Sequence, residues 1–260
     1  MTILQKPLLL AGLCFCLVTR AEVRRDALGY EHDLTGPEWT EEDRNTWLGN
    51  VQINKLQPGT VPSFTKEGFK KMRMPAAMYA MVDEHLQKHK SSPSYREEPV
   101  TGYINNRGKS PTYMHNLPWT MTQKINEAMM PVLQEWVGPE KPLEHTSTYG
   151  IREYTNGSVL QVHVDVVKTH AVSAILNVGQ DNIREPWPLA IADHAGKTHE
   201  VLMEPGDMVL YESAKLIHGR PKPLQGDRYF NIFVHSAPKT GYQEHHQDWR
   251  EDAMYKNGEL

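Results

Sequence analysis

The sequence predicts a mainly β protein with supporting α-helices, a jelly-roll sandwich or barrel preceded by an N-terminal helical segment. Three observations lead there. From residue 146 onward, short apolar runs recur at 146–155, 158–167, 171–178, 187–192, 198–203, 207–213 and 228–236. Many short strands separated by turn residues are the material of antiparallel sandwiches and barrels. Asn156-Gly157 lies between the first two runs and Pro205-Gly206-Asp207 between two later ones, both good turn sequences. Before residue 146 the apolar residues instead recur at helical spacing.

The elements follow in order. Residues 22–66 are polar and punctuated by proline and glycine, which predicts an irregular arm. Lys66 to Lys90 carries Phe69, Met72, Met74, Ala77, Met78, Met81, Val82 and Leu86, a stripe that reads as one helix. Residues 91–113 form a polar connector. A second helix is expected from about Thr120 to Val137, with Ile125, Met129, Met130, Leu133 and Trp136 inward and Gly138-Pro139 as its stop. The Met-rich faces read as core packing. The chain thus divides into a leader (1–21), an arm with supporting helices (22–140), a β domain (146–238) and a C-terminal tail (239–260).

Residues 1–21 have the texture of a secretory signal peptide. Lys6 precedes an apolar run from Pro7 to Val18, and Thr19-Arg20-Ala21 offers small residues to a signal peptidase. The run is short for a bilayer, so no stable membrane span is expected, although an uncleaved anchor is the rival reading. The only cysteines, Cys14 and Cys16, fall inside this segment. A mature chain would have no disulfide, thiolate nucleophile or Cys-ligated zinc. The leader implies the secretory pathway, with the endoplasmic reticulum lumen or the exterior as destination. Asn257-Gly258-Glu259-Leu260 faintly resembles a lumenal retrieval signal, against the alternative of a plain exposed tail. The chain has 28 basic and 32 acidic residues, a formal charge of −4, with no dense basic stretch. Nucleic acid, whose affinity rests on phosphate neutralisation, is excluded as a partner on that balance.

Within the β region, His163 and Asp165 are two apart on a strand and share a face, while Val162, Val164 and Val166 face the other way. His218 follows later, where the chain leaves a strand at His218-Gly219-Arg220-Pro221. Two imidazoles and one carboxylate make a facial metal set with open positions, the pattern of non-haem Fe(II) oxygenases. A catalytic zinc site also uses three protein ligands, so the ligand types alone leave both metals open.

Arg228 stands ten residues after His218 and heads an apolar strand, sharing a face with Phe230, Ile232 and Val234. A cation there needs an anionic partner, because unpaired burial is costly. The partner is either a structural carboxylate or the carboxylate of a co-substrate such as 2-oxoglutarate, which guanidinium grips through two parallel hydrogen bonds. The second choice favours iron.

Three stretches carry a resemblance: Tyr154-Thr-Asn-Gly-Ser-Val-Leu-Gln-Val-His163-Val-Asp165, Pro205-Gly-Asp-Met-Val-Leu-Tyr211, and His218-Gly-Arg-Pro-Lys-Pro-Leu-Gln-Gly-Asp-Arg228-Tyr229. Residues 146–238 resemble the catalytic domain of 2-oxoglutarate- and Fe(II)-dependent prolyl and lysyl hydroxylases. The resemblance implies a double-stranded β-helix, Fe(II) held by His163, Asp165 and His218, and 2-oxoglutarate bound by Arg228 with help from Tyr154. It implies O2 as oxidant, ascorbate as reductant, succinate and CO2 as co-products, and a peptide or protein substrate, most simply at a prolyl residue. Collagen-type members carry lysine at the position of Arg228, and the family's Gly-Gly-x-Thr-x-Phe stretch is replaced here by Glu185-Pro-Trp-Pro-Leu-Ala-Ile191. Both departures bear on substrate more than on chemistry. Lysyl or small-molecule hydroxylation, and a non-enzymatic metal- or ligand-binding barrel, are the alternatives. Nucleic-acid demethylases of this fold typically have a second arginine six residues on, where Val234 stands.

Other residues carry weaker signals. Ser173 and Asn177 share a strand face and are candidate pocket residues. His170, His194, His199 and His235 read as structural histidines. Asn156-Gly157-Ser158 is a glycosylation sequon as well as a hairpin turn.

Overall fold

The computed structural model describes residues 23–37, 39–92, 96–97, 110–240 and 242, so the expected leader and C-terminal tail lie outside the described residues. The described chain opens with an antiparallel pair, β1 (Val23–Arg25) and β2 (Glu31–Asp33). Helix α1 (Glu41–Thr60) follows where an irregular arm was expected. Its start is well specified. The Thr40 hydroxyl accepts from the Asp43 N–H at 3.1 Å while the Asp43 carboxylate accepts from the Thr40 N–H at 3.0 Å. Glu41, Glu42 and Asp43 place negative charge at the positive end of the helix. The buried stripe is Trp47, Asn50, Val51, Asn54 and Gln57. Amides occupy most of a face that hydrophobic periodicity needs to be apolar.

The single helix expected from Lys66 to Lys90 is two elements. Phe69–Arg73 is strand β3, and α2 begins after Pro75 and runs Ala76–His89. Proline has no N–H to give to a helix interior and biases the residue before it toward extended backbone, which separates the two. Strands β4 (Arg96–Glu97) and β5 (Thr112–His115) precede α3 (Trp119–Val137), which ends at Gly138 in the left-handed region (φ 98°), close to the expected bounds.

The β region contains β6 (Leu143–Thr148), β7 (Ile151–Thr155), β8 (Leu160–His163), β9 (Val172–Asp181), β10 (Leu189–Ala192), β11 (Thr198–Val201), β12 (Asp207–Tyr211), β13 (His218–Arg220) and β14 (Arg228–Pro238). The run expected as one strand at 146–155 is interrupted at Gly150. A Cβ there would lie 2.1 Å from the His115 carbonyl oxygen, so only glycine lets the two backbones pass. Gly157 at the hairpin tip and Gly206 in the Pro-Gly-Asp turn both adopt positive φ.

Two antiparallel sheets make the jelly roll, a double-stranded β-helix. The smaller runs β11-β10-β13-β8 and the larger β3-β12-β9-β14-β7-β5-β4, with β6 also paired to β14. The segment before residue 140 therefore supplies strands to the larger sheet as well as helices. Helices α2 and α3 cover that sheet's outer face, packing Leu86, Ile125, Met129 and Leu133 with Leu176, Phe230, Ile232 and Val234. Between the sheets lie Ile175, Leu189, Ile191, Val209, Tyr211 and Phe233. Strand β14 thus sends Phe230, Ile232 and Val234 to the helices and Phe233 to the space between the sheets. Among the described residues no helix is long and apolar enough to cross a membrane.

Candidate metal centre and its anion pocket

Strands β8 and β13 are adjacent in the smaller sheet, and their register places His163 directly opposite His218. Asp165 follows β8, its N–H donating to the Ser213 carbonyl at 2.9 Å. The three side chains offer ligand atoms that all lie within 4.8 Å of one another. Asp165 Oδ1 is 3.4 Å from His163 Nε2 and 4.0 Å from His218 Nε2.

Each imidazole is oriented by a backbone carbonyl two residues earlier. His163 Nδ1–H donates to Gln161 O at 2.7 Å and His218 Nδ1–H to Leu216 O at 2.8 Å. A carbonyl only accepts, so both Nδ1 atoms carry a proton and both Nε2 atoms are turned toward Asp165. Burial, then the His163 charge, lowers His218 to about 4, so it is neutral and able to ligate near neutral pH. Burial would raise the Asp165 carboxyl, but the two imidazoles beside it, His163 foremost and then His218, hold it well below the usual carboxylate range. The Tyr211 hydroxyl donates to Asp165 Oδ2 at 3.4 Å. Burial, then the Asp165 charge, raises Tyr211 well above its ordinary value and keeps that proton in place. Asp165 therefore has Oδ1 aimed between the two imidazoles and Oδ2 held from behind.

Arg228 is not part of this arrangement, a correction of the sequence expectation. Its Nη2 pairs with Asp181 Oδ2 at 2.6 Å and its Nη1 donates to the Lys90 carbonyl at 2.8 Å, at the end of α2. The anionic partner that its position demanded is a structural carboxylate, shared with Lys90 Nζ at 3.0 Å. The physical reason is strand parity: Arg228 is in step with Phe230 and Ile232, and that face meets the helices.

The cation beside the triad is Arg220, two residues after His218 on the same strand. It is 1% exposed. Its guanidinium carbon lies 4.7 Å from the ring centres of both Trp187 and Tyr229. Nη2 has only the Met203 sulfur, at 3.7 Å, and Nη1 has no hydrogen-bond partner among the described residues. Two aromatic faces offset part of the desolvation cost, but a buried guanidinium with an idle nitrogen is set up for an anion.

Tyr154 lies in the cluster around Arg220 rather than beside Arg228. It packs at 5.1 Å edge-to-face on Trp187 and shares a buried cluster with Tyr229 and Leu224.

Ser173 is buried and joined to Ser213 at 2.6 Å and to His235 Nδ1 at 2.7 Å. Asn177 instead bonds Asn231 at 3.1 Å. His235 comes within 4.0 Å of Asp165 Oδ2 and its ring lies 3.8 Å from that of His170. Burial lowers His235 to about 3. His194 and His199 pair with Glu212 and Asp193. Sequence reasoning missed Arg220 and Trp187. The parity that linked His163 to Asp165 also links His218 to Arg220, and Trp187 sits in the stretch that departs from the family pattern.

No family model and no curated protein matches the chain. Solved structures do. A prolyl hydroxylase from Trichoplax adhaerens, in complex with a peptide fragment of the hypoxia inducible factor oxygen degradation domain, is 13% identical with a TM-score of 0.50, over 82% of this chain and 97% of that one. The chain shares the fold of that prolyl hydroxylase. A Pseudomonas putida prolyl-4-hydroxylase is 14% identical with a TM-score of 0.45, over 72% of this chain and 100% of that one. HygX from Streptomyces hygroscopicus, with nickel, 2-oxoglutarate and hygromycin B bound, is 14% identical with a TM-score of 0.47, over 66% and 84%. The sequence had pointed to this same fold.

Proposed function

We propose that the protein is an Fe(II)- and 2-oxoglutarate-dependent dioxygenase that hydroxylates an unactivated C–H bond, most simply at a prolyl residue of a peptide or protein. One observation carries the reading: a fully buried arginine with an unused guanidinium nitrogen, Arg220, stands on the same strand as a metal-binding histidine. Zinc hydrolases share the three-ligand pattern; the buried cation on the same strand favours a reaction with an anionic co-substrate.

The donor set fits Fe(II), with two imidazoles and one carboxylate brought together and the other positions left to co-substrate and oxidant. His163 Nε2, His218 Nε2 and Asp165 Oδ1 would hold the metal. Bound iron would supply the activation of O2 that couples oxidative decarboxylation of 2-oxoglutarate, to succinate and CO2, with hydroxylation of the substrate. Arg220 would pair with the distal carboxylate, Trp187 and Tyr229 would hold the guanidinium plane, and Tyr154 would line the path to the metal. Tyr211 would keep Asp165 from turning. Ascorbate as reductant follows the family resemblance. The likeness to a peptide-bound prolyl hydroxylase supports a peptide substrate, and the leader would deliver the enzyme to the secretory pathway.

The test is succinate formation by the protein with Fe(II), 2-oxoglutarate and ascorbate. Activity is expected to vanish in His163→Ala and Asp165→Ala; succinate release undiminished in both variants overturns the metal assignment. A +16 mass shift on prolyl peptides is the expected substrate signature, and a shift on lysyl peptides alone moves the assignment to lysine.

A further inference from the structure

Helix α1 reaches the metal-bearing strand in an unusual way. Strand β8 is an edge strand of the smaller sheet, paired on one side with β13. An edge leaves backbone carbonyls without ladder partners. Two buried side-chain amides of α1 meet carbonyls here. Asn54 Nδ2 donates to Val162 O at 2.8 Å. Gln57 Nε2 donates one hydrogen to Asp165 O and the other to Ala214 O, both at 2.7 Å. Gln57 is 0% exposed and Asn54 2%.

These contacts join two separate segments. Val162 and Asp165 belong to the stretch that carries His163 and Asp165. Ala214 belongs to the loop that delivers His218. The same loop is tied to the end of α1 by Lys215 Nζ, which donates to Pro58 O at 2.8 Å and to Val61 O. Ser213 O accepts from the Asp165 N–H. The Gln57 carboxamide thus closes a bridge across the backbones of two ligand-bearing segments. A helix needing only to cover an edge strand would do so with apolar side chains; the Gln57 amide instead has both hydrogens engaged by carbonyls of the two segments.

We propose that Gln57 and Asn54 are positioning residues for the metal centre: α1 fixes Asp165 relative to His218 through main-chain carbonyls, and metal affinity depends on that bridge. The inference rests on the metal assignment above. Partners that orient first ligands carry roughly 10–100-fold in metal affinity.

The experiment is Co(II) titration of the full chain, read by its visible d–d bands and by calorimetry, with thermal unfolding of the metal-free protein in parallel. Wild type should bind one Co(II) and His163→Ala should not; failure at this step defeats the metal assignment and is seen before any α1 variant is read. Gln57→Met keeps side-chain length and loses both donors. It is expected to bind Co(II) at least ~10-fold more weakly, with altered d–d bands. Trp47→Ala, which loosens α1 nearly three turns before Gln57, is expected to lower the unfolding temperature with Co(II) affinity within about twofold of wild type. Gln57→Met binding within twofold of wild type overturns the proposal, and so does an equal loss of affinity in Trp47→Ala. Should Gln57→Met fail to fold, Asn54→Ala decides: threefold or greater weakening supports the bridge, unchanged affinity removes it.

Discussion

At the scale of single residues, the arginine that the sequence reading assigned to the co-substrate, Arg228, is ion-paired, and the arginine left with an idle nitrogen is Arg220. Arg228 has its carboxylate in Asp181, while Arg220 has none among the described residues. This contrast gives a direct prediction. Truncating one member of a buried charge pair costs about 2–5 kcal/mol of binding. Arg220→Met should therefore raise the apparent KM for 2-oxoglutarate at least ~30-fold, whereas Arg228→Ala should leave it within about twofold. Saturation kinetics of succinate release separate the two, and the reverse ranking would return the anchor to Arg228. Arg220 also makes an opposite prediction for stability. Replacing an unpartnered buried cation by an apolar side chain of similar volume should stabilise the metal-free protein by about 1 kcal/mol or more, roughly 2–4 °C in Tm. The residue-level lesson is one of parity. His163, Asp165 and His218 were legible because a strand's two-residue repeat and ligand chemistry coincide. Arg228 was misplaced because which face of β14 looks inward depends on the helices packed behind it, and a single strand's pattern does not contain that.

At the scale of elements, the strands were legible and the helices less so. Alternation and turn residues located most of the β region, but β13 has only three residues, one of them glycine, and runs straight into a Pro-containing loop. Helix α1 was invisible because its buried stripe is amide-rich, and β3 was absorbed into a helix because Met72 and Met74 continued the stripe of α2. Two predictions belong here. Loss of the reciprocal cap in Thr40→Ala should cost about 1 kcal/mol, measurable by denaturant unfolding; an unchanged midpoint would mean the cap is not formed. Gly219 lies between His218 and Arg220, and a Cβ there would meet Val162 Cα at 2.8 Å and Gln161 O at 2.9 Å. Both are main-chain atoms, so Gly219→Ala must push β13 away from β8. Co(II) and 2-oxoglutarate affinity should fall together, and retention of both would show that the strands have slack.

At the scale of the whole molecule, neutral buried histidines tie stability to pH. His218 and His235 have folded values of about 4 and about 3, below the ordinary 6.5. Above pH 6.5 both states leave these rings neutral. As pH falls below 6.5 the unfolded chain takes up protons that the folded chain refuses, so stability is lost progressively until about pH 4 for His218 and about pH 3 for His235. Each ring contributes up to about 1.4 kcal/mol per pH unit in that window. Metal-free protein should therefore be clearly less stable at pH 5 than at pH 7, and His235→Gln should flatten the slope. Equal denaturation midpoints at the two values would contradict the burial of these rings. Metal binding acts in the other direction: a ligand that binds only the folded state raises Tm with its concentration, so Co(II) should stabilise wild type and leave His163→Ala unmoved.

The placement of His218 and Arg220 at either end of one short strand turns β13 into a gauge. Two residues of extended backbone span ~7 Å, and both ends are set by the same rigid backbone rather than by two loops. On the proposed function, with one end of a keto diacid at the metal and the other at the guanidinium, carbon count would become the selected quantity. Oxaloacetate should fall short of Arg220 and 2-oxoadipate should overrun it, so neither should replace 2-oxoglutarate in turnover. Arg220→Lys, which changes reach as well as hydrogen-bond geometry, should shift that preference and not merely weaken it.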